Sequence, residues 1–233
     1  MNRTIFALLI LFLFSACTEK PSGATFLSFS ESGPDGDVYP VRMLINERFL
    51  RIEDGDVQDG FIVFDRAKKI VYSVSHTDKT TLVLHAEPVK LAVPKAFAHQ
   101  VERDGEKLPD VGGRAVTHYR LLTNREPCFD VYAADGLLPE ALAALREYHR
   151  TLAGEQAAMQ ASVPAGFQSA CDLAEYVFLP ARHLEFGFPV RQISRAGVMR
   201  QLVDFKTGVP VEKGLFDIPA DYKQITPAEV RKK

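Results

Sequence analysis

Six histidines, at positions 76, 85, 99, 118, 149 and 183, are the side chains of this chain best suited to proton transfer or metal binding. His76 and His85 lie nine residues apart across one predicted hairpin, near enough in sequence to meet. A metal needs further convergent ligands and a supporting shell, and no third ligand accompanies the pair. No metal is therefore expected. Ser73 or Ser75 with His76 and Asp78 has the residue types of a hydrolytic triad. Neighbours on a strand point to opposite faces, so Ser75 and His76 cannot act as nucleophile and base. Asp54-x-Asp56-x-x-Asp59-Gly60 is similar to a calcium loop. Its third acid comes one place late, however, and its twelfth position is Asp65 rather than Glu, so it reads as an acidic hairpin turn. The sequence has no G-x-S-x-G, P-loop, G-x-G-x-x-G or H-E-x-x-H. These observations predict a protein that is not an enzyme and holds no cofactor.

The three cysteines divide by position. Residues 1–16 have Arg3 ahead of a continuously apolar run, Ile5 to Phe14. A run of this length is too short to span a bilayer as a helix, which takes about 20 residues, but suits a signal-peptide core. Phe14-Ser15-Ala16-Cys17 resembles a bacterial lipobox, with Phe in place of the usual Leu. On that resemblance Cys17 carries the lipid, palmitate included, and becomes the mature N-terminus; the plainer alternative is an ordinary signal peptide with an incidental Cys. Several acyl chains together anchor stably where one does not. Thr18, rather than Asp, after the lipidated Cys implies the outer membrane, with the body facing the periplasm. Residues 17–24 form a lipidated tether. An exported chain meets an oxidising compartment, where Cys128 and Cys171 are expected to form a disulfide. A reactive thiol at Cys171 and two buried free thiols are the other readings.

These positions need a scaffold, and composition allows one. The chain has 233 residues, net charge -2, 46% hydrophobic and 25% charged residues, which is enough to bury a core unaided and lacks the basic excess of a nucleic-acid binder. Thr25–Ser30, Val38–Ile45, Arg48–Glu53, Phe61–Asp65, Lys69–His76 and Thr80–Ala86 are six short strands separated by turn formers, a β-meander. Phe61-Ile62-Val63-Phe64 is apolar on both faces, so both faces of the sheet need cover. Glu87–Arg114, rich in Pro and Gly, is a long loop with one irregular strand. Ala115–Thr123 and Cys128–Tyr132 resume the sheet. Leu138–Met159 is a helix, with Leu138, Leu142, Leu145, Tyr148 and Leu152 on one stripe and Pro139 in its first turn. Ser169-x-x-Asp172 caps a second helix reaching about Phe178. Pro189–Ser194, Val198–Lys206 and a last pairing segment at Phe216-Asp217-Ile218-Pro219 return to strands. Residues 25–225 form one domain, and 226–233 are a disordered tail.

Val41-Arg42-Met43-Leu44-Ile45, Phe49-Leu50-Arg51-Ile52-Glu53-Asp54-Gly55, Gly60 to Arg66 and Ile70 to His76, with Gly187-Phe188-Pro189-Val190-Arg191 and Phe216-x-Ile218-Pro219-x-x-Tyr222, resemble a bacterial envelope lipoprotein family whose shared domain has no assigned function. That family is similar in architecture to the lipoprotein carriers LolA and LolB. The resemblance implies a mainly β, α+β fold: an antiparallel half-open barrel with helices across its concave face. It also implies a hydrophobic groove for an acyl chain or apolar peptide. Phe61, Val63, Tyr72, Leu82 and Leu84 of the strands and Leu142, Leu145 and Tyr148 of the helix would line it. The alternative is an interaction component of an envelope complex, with its barrel filled. The expected partners are a membrane through the lipid, a lipid or apolar ligand and an envelope protein, with no nucleic acid.

Overall fold

The computed structural model describes residues 23–55, 58–94, 97–106 and 108–232. Cys17, its lipobox and most of its tether lie outside the described residues, as does Asp56. Among the described residues twelve strands form one open sheet: β1 (Ala24–Ser32), β2 (Val38–Ile45), β3 (Phe49–Asp54), β4 (Gly60–Asp65), β5 (Ile70–Ser75), β6 (Thr80–His85), β7 (His99–Arg103), β8 (Val116–Thr123), β9 (Glu126–Ala134), β10 (Phe188–Ser194), β11 (Met199–Val209) and β12 (Lys223–Ile225). Their order is β12-β6-β5-β4-β3-β2-β1-β11-β10-β9-β8-β7. β1 to β6 make the expected antiparallel meander. β12 joins the edge of β6 in parallel. With its helices the fold is α+β, mostly β, and the sheet does not close.

Helix α1 (Pro139–Ala161) starts with Pro in its first turn, and Glu140 there complements the helix dipole. It lies across one face of the sheet. Leu137, just before it, reaches the Phe205 ring region around Gly112, Tyr148 meets Phe64 of β4 edge-on at 5.8 Å, and Gly154 abuts Glu87 just past β6. The predicted stripe forms the centre of the main core. Leu138, Leu142 and Leu145 are buried among Leu27, Met43, Leu50, Phe64, Val71 and Phe188, with Tyr148 and Leu152 packed beside them. Charges fasten the helix on both flanks. Arg66 donates twice to the Glu147 carboxylate, at 3.0 and 3.1 Å, and Lys69 adds a third bond at 3.0 Å. On the other flank Arg146 donates to the Leu184 carbonyl at 2.6 and 3.1 Å. Among the described residues the stripe under the middle of α1 is packed against side chains of the sheet.

The opposite face of β4 and β5 has its own cover. Phe61, Val63 and Val74 pack with Phe49, Ile218 and Tyr222. Phe216 stacks on Phe49 at 5.3 Å, and Arg51 lies over the Phe61 ring at 3.6 Å while donating to the Leu215 carbonyl. These strands are apolar on both faces because the segment before β12 covers the second one. Phe216–Pro219, expected as a strand, packs through side chains instead, and the last pairing strand is β12. The segment expected to fray carries a short helix. Thr226 and Glu229 form a capping box that starts α3 (Pro227–Val230), and Arg231 pairs with Glu155 of α1.

Cys128 of β9 and Cys171 of α2 (Ala170–Asp172) are bonded. Ser169 caps α2 by accepting from the Asp172 backbone N–H, and the chain runs on as a π-helical segment, Leu173–Phe178. The bond ties this segment to the sheet, where the aromatic cover of β8 and β9 also gathers: Leu121, Val131 and Ala133 pack with Tyr119, Phe129 and Phe186.

Candidate functional site

β12 pairs with Thr80, Thr81 and Leu82 of β6, and among the described residues the outer edge of Val83, Leu84 and His85 has no strand beside it. Pro88 then stops the chain from continuing as a strand. Opposite this edge runs the last third of α1. Gly154, Ala157, Ala158 and Ala161 fall at i, i+3, i+4 and i+7, one face of the helix. Small side chains on that face let the helix backbone approach, and a Cβ on Gly154 would sit 2.1 Å from the Glu87 carbonyl oxygen. They also leave space. Pro227 and Ala228 of α3 close the third side, and a cleft of about 400 Å³ remains. This is within the range of ligand-sized cavities, roughly 300–1,000 Å³.

The cleft is apolar in its depth and charged at its rim. Val83, Leu84, Leu91 and Ala157 line it, and Leu91 and Ala157 continue into a cluster with Leu173 and Val177. His85, Glu87, Lys90, Glu155 and Arg231 stand around it, the last two paired with each other. This arrangement can hold a hydrocarbon segment and meet a polar end.

The eight residues expected to form one groove fall on two faces. Leu84, Leu142, Leu145 and Tyr148 do come together, in the main core, and of these Leu84 also reaches the cleft. Leu82 shares the α1 face through its pairing with Ser73 and, beyond it, Ile62. Phe61 and Val63 belong to the opposite face under the C-terminal segment, and Tyr72, paired with Val63, shares it. A strand's alternation separates Val63 from Phe64 however apolar both are. The residues that shape the cleft were readable in one respect: small residues at helical spacing mark a face where backbones approach. Pro227 and Ala228 gave no such signal.

The other chemistry-bearing residues separate or find plain partners. The hairpin register pairs Ser75 with Thr80 and Ile70 with His85, so His85 lies at the far end of the hairpin from His76. His76 Nδ1 is 2.8 Å from the Tyr222 hydroxyl, and Ser75 donates to Asp78. His118 sits between Asp130 at 2.8 Å and Asp104 at 3.5 Å and stacks on Tyr132. Hydrogen bonds from the Glu106 backbone and His118 hold Asp104 below the ordinary carboxylate range. Among the described residues no group of three His, Cys, Asp or Glu could hold a metal ion, and no helix is long and apolar enough to cross a membrane.

No family model matches the chain, and no curated protein matches it. Solved structures are similar at low identity. An uncharacterised conserved protein from Thermus thermophilus has 12% identity and TM-score 0.45, covering 88% of this chain and 91% of its own. PNGF-II has 7% identity and TM-score 0.45, covering 90% of this chain but 32% of its own. A LolA superfamily protein from Nitrosomonas europaea has 8% identity and TM-score 0.30, covering 85% and 91%.

Proposed function

We propose that this chain is an outer-membrane lipoprotein, lipidated at Cys17 and facing the periplasm, that binds an acyl chain or apolar peptide segment. Its open sheet is read as a LolA/LolB-like half-barrel, on the sequence resemblance. The observation that carries the binding reading is the apolar cleft of about 400 Å³ between the free edge of β6 and the small-residue face of α1. The groove of this proposal is at the end of α1, not beneath its middle.

Ala158 is exposed and lines the cleft, so a large side chain there fills the void without entering the core. The protein has no Trp, so Ala158→Trp also supplies a single reporter. An apolar fluorescent probe should bind the wild type saturably, and Ala158→Trp should weaken it about tenfold with the fold intact by circular dichroism. Native mass spectrometry of the protein without its anchor should show a co-purifying lipid or peptide. Probe binding that ignores Ala158→Trp would remove the cleft from the proposal. The filled core beneath α1 favours a second reading, a non-enzymatic interaction component of an envelope complex. Absence of both probe binding and co-purifying ligand would leave that reading in place. Lipidation has its own test: Cys17→Ser should abolish the lipid mass on the mature N-terminus and the protein's partition into detergent.

A further inference from the structure

A second, separate pocket of about 250 Å³ lies on the other side of α1, between the π-helical segment, β10 and β11. Its lining is mixed: Phe129, Ala196 and Val198 stand beside Glu175, His183, Gln192 and Ser194. Glu175 is 4% exposed and His183 5% exposed, and both face this space. Both Glu175 carboxylate oxygens, His183 Nδ1, Gln192 Oε1 and Ser194 Oγ are buried with no hydrogen-bond partner. Buried polar atoms are nearly always satisfied, and five orphans lining one pocket point to an occupant. Four of the five are oxygens, and Gln192 Oε1 and the Glu175 oxygens, when that carboxyl is ionised, can only accept. A neutral imidazole also has one accepting nitrogen. The occupant must therefore donate several hydrogen bonds.

The surrounding charges select its sign. Arg200 is already paired with Glu31 at 2.5 Å. Arg182 Nη1 lies 3.5 Å from Glu175, but its Nη2 is committed to the carbonyls of Gln100 and Leu122 at 2.6 and 3.1 Å. Burial keeps His149 and His183, whose rings meet edge-on at 4.9 Å, well below the ordinary imidazole range, so both are uncharged at neutral pH. The pocket thus has neutral acceptors and a buried carboxylate that meets Arg182 Nη1 on one side at 3.5 Å, while Arg200 is engaged by Glu31.

We propose that this pocket binds a primary ammonium group, with one N–H held by the Glu175 carboxylate and the other two shared among the acceptors of His183, Gln192 and Ser194. An ammonium is a compact cation with three diverging donors. It matches a carboxylate surrounded by neutral acceptors and needs none of the flat fork geometry of a guanidinium. The ligand could be a free small amine or an aminoalcohol headgroup.

Calorimetric titration of the full chain with ethylammonium chloride at pH 8, where the Glu175 carboxyl is mostly ionised, tests this directly. One saturable site is expected. Glu175→Gln removes the charge at constant shape and should weaken binding roughly tenfold or more, and Ser194→Ala should weaken it by a few-fold. Ala158→Trp, in the other cleft, should leave it unchanged. Tetramethylammonium has the charge but no N–H donors and should not bind. Glycerophosphoethanolamine separates the two sources: tighter binding than ethylammonium assigns a headgroup, and weaker binding assigns a free amine. Absence of saturable binding, equal binding of tetramethylammonium, or indifference to Glu175→Gln in a folded variant would each overturn the proposal. So would displacement of ethylammonium by zinc at equal concentration, which would make the two imidazoles a metal site.

Discussion

At the scale of single residues, Glu175 and Gly154 each hold a position that ordinary preference opposes. Burial raises the Glu175 carboxyl to about 7; Arg182 opposes the rise and Glu185 adds to it. A raised folded-state value means that the native protein holds the proton more tightly than the unfolded chain. The resulting stability is complete below about pH 4.5 and is lost as pH rises through 7. Glu175→Gln, which cannot ionise, should therefore equal the wild type near pH 4 and exceed it by on the order of 3 kcal/mol at pH 8. Urea unfolding at the two pH values checks the sign. A gain that is the same at both would mean that the carboxyl is not desolvated. Gly154 is the second case. In an exposed helix interior Gly→Ala gains about 1 kcal/mol. Here the added Cβ would meet backbone, the Glu87 carbonyl, at 2.1 Å, and backbone cannot rotate aside. Gly154→Ala should instead lose about 1–3 kcal/mol, read as a lowered melting temperature. A raised one would show that the Glu87 segment yields freely.

At the scale of elements, α1 shows what its fastening implies. If its stripe faced a hollow, truncating Leu145 would cost about 2 kcal/mol or less, since a void would already exist. Leu145 is 6% exposed inside the main core, and Arg66, Lys69 and Arg146 hold the helix in place. Leu145→Ala should therefore fall in the core range, about 2–5 kcal/mol, in denaturant unfolding, while Ala158→Trp changes stability little. The stripe itself was legible, because 3.6-residue periodicity reports burial whatever does the burying. For the same reason the meander from β1 to β6 could be read within a residue or two of its ends, and Ser169 with Asp172 marked α2. What covers each face was not legible. Phe216 and Ile218 look like strand residues, yet they are held by stacking on Phe49 and packing on Phe61. β12 is three residues long and pairs in parallel, too short to carry a period. α3 depends on its capping box and on Glu155 across the cleft, and that partner lies 76 residues away. The Cys128–Cys171 bond was expected from compartment and number alone. Its 43-residue separation gives roughly 4 kcal/mol by chain entropy.

At the scale of the whole molecule, an open sheet has two edges that must be kept from pairing with other chains. One edge is β7, whose five residues are all exposed and end in Glu102 and Arg103. Charge protects it. The other edge is β6, which β12 covers over half its length before α3 folds across the remainder. The cleft therefore lies where edge protection changes from strand to helix, and the C-terminal residues serve both purposes. None of α3 is buried, and its ties to the body are surface ones, among them Arg231 with Glu155. Ending the chain after Ile225 should lower stability by no more than about 1 kcal/mol, a shift of some 2–4 °C in melting temperature for a domain of this size. The same truncation takes away the wall formed by Thr226, Pro227, Ala228 and Arg231. An apolar probe should then bind several-fold more weakly, and the amides of Val83, Leu84 and His85 should exchange with solvent faster, while those of β1 and β2 stay protected. If truncation instead left probe affinity unchanged and melted the sheet, α3 would be a structural clamp and the cleft would owe nothing to it.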